Sequence, residues 1–272
     1  MIRRHIADAF RRAADAFAYL SSKKYTTLAG TMTFFLILSV VPFLFWLTFL
    51  FGRLEIDFDR ILDLEIFAEF KDILHYLRGQ AQSAQAGASV ILLATTLYSS
   101  TNLFYHMRRS GEIIYGCGRD KGGLALRISA VALIFVVMLL FVAGASLLLL
   151  GTALLRRILP SFAAQVAVYA LLGAIAFLFL LLLNVYICPY RIGARSAVWG
   201  SLLTLLLGGL ASFGFSVYAH LGTMEKLYGA AVFLIVFLLW LYVLMVCFVI
   251  GVILNCYLLE KDNSAKFVHK KF

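Results

Sequence analysis

Charge is scarce in this chain. Only 14% of its 272 residues are Asp, Glu, Lys or Arg, against about a quarter in soluble domains. Proline is rarer still, with Pro42, Pro160 and Pro189 the complete set. The four cysteines, Cys117, Cys188, Cys247 and Cys256, form no C-x-x-C pair, and no histidine cluster stands beside them. Zinc ligation is therefore not expected, and no metal or other cofactor is called for. Alternation of period two is absent as well, which excludes a transmembrane barrel.

Apolar residues fill the space that charge leaves. They make up 63% of the chain, at a mean hydropathy of +0.94. They fall in blocks too long for a soluble core. The hydrocarbon of a bilayer is about 30 Å thick and needs about 20 apolar helical residues to cross it. Backbone polar groups in lipid must be satisfied within the segment, so such blocks must be helices. The expected fold is an all-α polytopic membrane protein with six transmembrane helices, near 28–51, 88–106, 124–150, 162–187, 197–219 and 229–259. A short turn holding Arg156, Arg157 and Pro160 separates the third span from the fourth.

Three segments flank or interrupt this 28–259 domain. In residues 1–27, Ile6, Phe10, Ala13, Phe17 and Leu20 follow helical spacing, with Arg3, Arg4, Arg11 and Arg12 mostly elsewhere around the wheel. That is an amphipathic helix able to lie on an anionic leaflet, the alternative being a solvated basic leader. A cleaved signal peptide fits poorly, because the following apolar block is too long. Between spans 1 and 2, residues 52–87 turn polar, with Ile61, Leu64, Phe67, Phe70, Ile73, Leu74 and Leu77 at helical spacing among acids. This predicts a second amphipathic helix outside the bilayer core. Residues 260–272 form a basic tail.

Orientation follows from the basic residues. With this division, 17 of the 24 Lys and Arg residues fall on the side of the termini and 7 on the other. The positive-inside rule then puts both termini in the cytoplasm of a cytoplasmic (inner) membrane. Cys117 and Cys188 fall on that reducing side, and Cys247 and Cys256 read as small core hydrophobes of the last span. The formal charge of +10 is largely this topological signal and needs no nucleic acid to explain it.

Two helix faces stand out. On span 5, Gly200, Thr204, Gly208, Ser212 and Ser216 recur at every fourth position, a strip of small residues suited to close helix packing. A branched residue at Gly208 is expected to overpack that contact. On span 2, the least hydrophobic, Thr95, Ser99, Asn102 and His106 share one face, which should turn toward other helices or a wet cavity. Tyr242 and Asn255 of the last span, and Tyr228 just before it, are candidate polar partners for it, with interfacial anchoring the alternative for Tyr228. Arg108 and Arg109 of a basic cytoplasmic loop Arg108–Arg127, with Arg191 and Arg195, are candidate ligands for anionic headgroups, although plain topology explains most such arginines better.

Several of these residues carry a resemblance. The run Phe34-Phe35-Leu36 with Ser39 and Pro42, then Leu97-Tyr98-Ser99-Ser100 and Ile114-Tyr115-Gly116, then Pro189, Arg191 and Gly200, and finally Tyr228-Gly229, Leu239-Trp240-Leu241-Tyr242, Gly251 and Asn255 stand in family order. Over roughly Thr26–Glu260 the chain resembles the YihY/virulence factor BrkB family of bacterial inner-membrane proteins, formerly labelled ribonuclease BN. The likeness implies six helices. Two departures matter. An Asn common before the Tyr-Gly element is replaced by Glu112 or Ile113, and the Gly-Ala-Glu-Leu-Asn element reads Gly251-Val252-Ile253-Leu254-Asn255. A mechanism resting on the missing carboxylate does not transfer.

Function is weighed on the same residues. Metal-dependent RNA cleavage needs clustered ligands, but the cytoplasmic acids Asp8, Asp15, Glu112, Asp120, Glu260 and Asp262 are scattered. An enzyme is not expected. Ion-coupled transport usually leaves a charge in mid-membrane or an inverted repeat, and neither is evident. Hydroxyls, tyrosines and the amides Asn102, Asn184 and Asn255 suit an amphiphile instead. The expectation is a transporter or lipid-handling protein of the envelope, with membrane lipids, above all anionic ones of the cytoplasmic leaflet, as partners. The alternative is a non-catalytic scaffold that binds an envelope protein or forms a homo-oligomer.

Overall fold

The computed structural model describes residues 18–53, 97–117, 122–158, 160–189, 194–221 and 230–269. Every regular element among them is helical. The helices are α1 (Tyr25–Arg53), α2 (Asn102–Ile114), α3 (Gly123–Ile158), α4 (Ser161–Ile187), α5 (Ala194–Leu221) and α6 (Ala230–His269). Four stretches are long and apolar enough to cross a bilayer: Gly123–Thr152, Phe162–Ile187, Ala197–Tyr218 and Ile235–Lys261. In α1 the apolar stretch Tyr25–Val40 is shorter. Most of the amphipathic N-terminal segment and nearly all of 52–87 lie outside the described residues.

Several boundaries differ from those expected; the helix of span 2, expected to end at 106, runs on to Ile114. The predicted turn at Arg156 and Arg157 is helical, and α3 runs through both to Ile158. Leu and Arg favour helix, and nothing stops it until Pro160 restricts the residue before it. The basic tail likewise continues α6 as far as His269. It contains no Gly or Pro to break the helix.

The described residues form two compact units. One comprises 18–33, 108–117, 180–189, 194–221 and 230–269; the other comprises 34–53, 97–107, 122–158 and 160–179.

In the first unit, α5 and α6 run antiparallel along the small-residue strip. A Cβ on Gly200 would collide with the carbonyl oxygen of Gly251 and the side chain of Asn255, and one on Gly251 would strike the Thr204 hydroxyl. The two backbones are as close as glycine allows, which maximises dispersion contact where lipid offers no hydrophobic drive. Thr204 satisfies its own hydroxyl by donating to the Gly200 carbonyl at 2.8 Å. Further along, Gly208 is looser, since a Cβ there would meet Leu244 at an ordinary 3.6 Å. At Ser212 the hydroxyl accepts from the Trp240 indole at 3.3 Å, and that indole stacks on Phe215. The tightest point is thus Gly200, not Gly208.

In the second unit, α3 and the first part of α4 form an antiparallel pair. A Cβ on Gly144 would press on Ile175 and one on Gly151 on Leu171, while Phe141 meets Phe179 edge-on at 5.6 Å. Spaced seven apart, the two glycines open one face of α3 to its neighbour. Ser39 of α1 donates to the Ser99 carbonyl at 3.1 Å, joining α1 to the helical residues 97–100.

Candidate functional site

Polar side chains collect in three places, and their chemistry differs. The first is a buried amide network. Asn184 on α4 is 0% exposed and Asn255 on α6 is 1% exposed. Asn255 Nδ2 donates to Asn184 Oδ1 at 2.8 Å and to the Ala197 carbonyl at 3.5 Å, and its Oδ1 accepts from the Gly200 amide at 2.8 Å. The Asn184 amide donates back to the Leu180 carbonyl at 3.0 Å. One amide thereby ties α4, α5 and α6 together. Its donor and acceptor are both engaged in this interhelical tie. Tyr242, also in this unit, lies beside Gly30 of α1, where a Cβ would stand 3.9 Å from its ring.

The second is the junction of α2 with the end of α4. Gly116 adopts φ 66° and closes α2 with a Schellman turn, its amide donating to Ile113 and that of Cys117 to Glu112. Only a residue free of Cβ strain adopts that conformation cheaply, which gives the Tyr-Gly element a local reason. Arg108 donates to the carbonyls of Tyr186, Cys188 and Pro189. These carbonyls end α4 and have no helical amide to receive, and the cation also suits the negative end of the helix dipole. Gly111 lets α2 come this close, because any Cβ there would collide with the Ile187 carbonyl. Arg109 pairs with Glu112 at 2.7 Å. Both expected headgroup arginines of this helix are therefore bound to protein groups. Arg191 lies outside the described residues, as does the side chain of Arg195.

At the same junction, the chain before α1 packs on the end of α6. Lys24 takes φ 53° after the helical residues 18–22. Lys23 Nζ donates to the Ile114 carbonyl at 2.8 Å and lies 3.5 Å from Glu260. Tyr19 donates to Glu260 at 3.0 Å and meets the Tyr257 ring edge-on. Burial first, then the neighbouring Cys256 and Glu260, push the Tyr19 phenol above its ordinary value.

The third place is in the other unit and contains the span-2 face. Ser99, Asn102 and His106 are all half-buried; Thr95 and Tyr228 lie outside the described residues. The His106 ring stacks on Phe35 at 3.5 Å. Asn102 Oδ1 accepts from Arg127 of α3 at 2.6 Å. Arg127 also donates to the Tyr98 hydroxyl at 2.9 Å, and its guanidinium lies over the rings of Tyr98 and Tyr105, at 4.1 and 4.3 Å from their centroids. Sequence reasoning placed Arg127 at the end of the basic stretch 108–127 that could meet anionic headgroups, without singling it out from the other arginines. A signal was present: it stands within Leu124-Ala125-Leu126-Arg127-Ile128, inside the apolar onset of a span rather than in the loop before it.

The model of the family "Virulence factor BrkB" matches residues 16–271. A UPF0761 membrane protein of Chromobacterium violaceum is 29% identical over 264 residues, covering 90% of this chain and 61% of that protein. The chain thus spans about three fifths of the length of that relative. No solved structure matches.

Proposed function

This chain belongs to the virulence factor BrkB family of membrane proteins, and we propose that it handles lipid or another amphiphile in the cytoplasmic membrane. In this reading it crosses the bilayer six times, with both termini cytoplasmic. One contrast carries the reading. The amides of α4 and α6 are fully buried and satisfied by each other, whereas the Ser99, Asn102 and His106 face is only half covered. Interhelical ties alone explain the first set. A polar face left partly open beside lipid-length helices suits a headgroup moving against hydroxyls and amides while its tails stay in the bilayer.

The test is lipid movement in vesicles containing the purified protein, followed by dithionite quenching of a fluorescent headgroup-labelled phospholipid. The double variant Ser99→Ala, Asn102→Leu is expected to fold, by circular dichroism and gel filtration, and to lose most of that movement. A folded double variant with the full rate would remove the support for this reading.

A further inference from the structure

We propose that Arg127, held by Tyr98, Tyr105 and Asn102, is a binding site for the phosphodiester headgroup of an anionic membrane lipid. The inference deepens the amphiphile reading and rests on it for the route by which a lipid arrives. It is drawn from the geometry around one guanidinium.

The first observation is how the cation is held. Tyrosine faces lie over the guanidinium at 4.1 and 4.3 Å, and two of its five N–H donors reach Asn102 Oδ1 and the Tyr98 hydroxyl. Both acceptors are neutral. Among the described residues no carboxylate forms an ion pair with Arg127. An arginine with a structural role is normally neutralised or engaged with carbonyls, as Arg108 and Arg109 are. Arg127 is instead oriented by rings and neutral oxygens, and among the described residues three of its donors have no partner. A planar fork fixed in this way suits two phosphate oxygens, and the ordering cost is met before the ligand arrives.

The second observation is where the fork stands. Arg127 is in the second turn of α3, at the start of the candidate membrane span Gly123–Thr152. A long side chain on a helix leans toward the N-terminus, here toward the mouth of the span. Its flanking residues Leu124 and Ile128 are 79% and 64% exposed, and Tyr98 is 58% exposed. The cation thus borders a surface of apolar side chains that acyl chains would cover. A lipid places its phosphate at this depth and its tails along Leu124 and Ile128, whereas free phosphate gains nothing from those two. This is why the site is assigned to a lipid. Tyrosine at such a boundary suits the interface on its own account, but that role does not require two rings over one guanidinium.

The test uses the full chain in detergent, with lipid retention followed by native mass spectrometry and thermal shift. Added probes are phosphatidylglycerol, phosphatidylcholine, and inorganic phosphate alone. The wild-type protein is expected to bind phosphatidylglycerol best, and Arg127→Gln to bind it about tenfold more weakly, the loss expected for a charge-assisted bond. Arg127→Lys keeps the charge without the fork. It should lose severalfold, and it carries the test if the Gln variant does not fold. Unchanged phosphatidylglycerol affinity in either folded variant would overturn the site. Inorganic phosphate matching phosphatidylglycerol in affinity would overturn the lipid assignment. Failure of binding while a Ser99→Ala variant still loses lipid movement removes the headgroup site alone. Intact binding without lipid movement removes the transport reading alone.

Discussion

Asn255 donates its side-chain amide to the side-chain carbonyl of Asn184 at 2.8 Å, in a position where neither residue meets solvent. In lipid a carboxamide without partners is costly, and each here completes the other. Because the amide also holds Gly200 and Ala197, the pair sets how α4, α5 and α6 meet. A double-mutant cycle with Asn184→Ala and Asn255→Ala is expected to give a favourable coupling of about 0.6 kcal/mol, the average for interhelical bonds in a bilayer. Thermal unfolding in detergent measures it. Strict additivity would mean that the two amides act independently.

The Gly200 and Gly251 contact makes a sharper prediction about packing. Gly200→Ala or Gly251→Ala should destabilise the protein by about 1–3 kcal/mol, because the new methyl meets backbone or a buried amide that cannot move aside. Gly208→Ala, four residues from Thr204 on the same strip, should be nearly neutral, because the nearest atom is a side-chain methyl at 3.6 Å. Equal losses at Gly200 and Gly208 would contradict the observed taper of the α5 and α6 contact.

Arg108 is predicted to matter for stability and not for lipid affinity. Arg108→Gln removes the cation that donates to the carbonyls at and just past the end of α4, and a cap of this kind is worth about 1–2 kcal/mol. Hydrogen exchange should accelerate in the amides near Asn184–Cys188. Phosphatidylglycerol binding should be unchanged. A selective loss of lipid affinity with normal exchange would return Arg108 to the headgroup-binding set.

Topology is tested by single added cysteines at Ser83 and Ser264. A membrane-impermeant maleimide applied to intact cells is expected to increase labelling over wild type at the first position only. Labelling at Ser264 alone or at both positions would contradict the orientation drawn from the basic residues.

Much of the architecture was readable before any coordinates. Apolar block length is a local property, so the spans near 124–150, 162–187, 197–219 and 229–259 coincide with α3, α4, α5 and α6 to within their ends. The ends moved where local rules were read too strictly: Arg156 and Arg157 looked like a turn because they are charged, yet arginine continues a helix readily. The small-residue period on span 5 was equally legible, since a repeat of four on a helix makes one face.

Partner choice was not legible, because it depends on residues distant along the chain. Asn184 and Asn255 are 71 positions apart, and nothing near either one in sequence says that their amides meet. Arg108, Arg109 and Arg127 are chemically identical and all on the predicted basic side. Arg109 finds Glu112 three residues on along the same helix, but position in three dimensions alone gives Arg108 the carbonyls at the end of α4 and Arg127 two tyrosine rings. Hydropathy and charge count report how a segment partitions between water and lipid, which is a sum over residues. What a given cation or amide can do depends on which acceptors lie within about 3 Å, and only the packing of the helices brings those together.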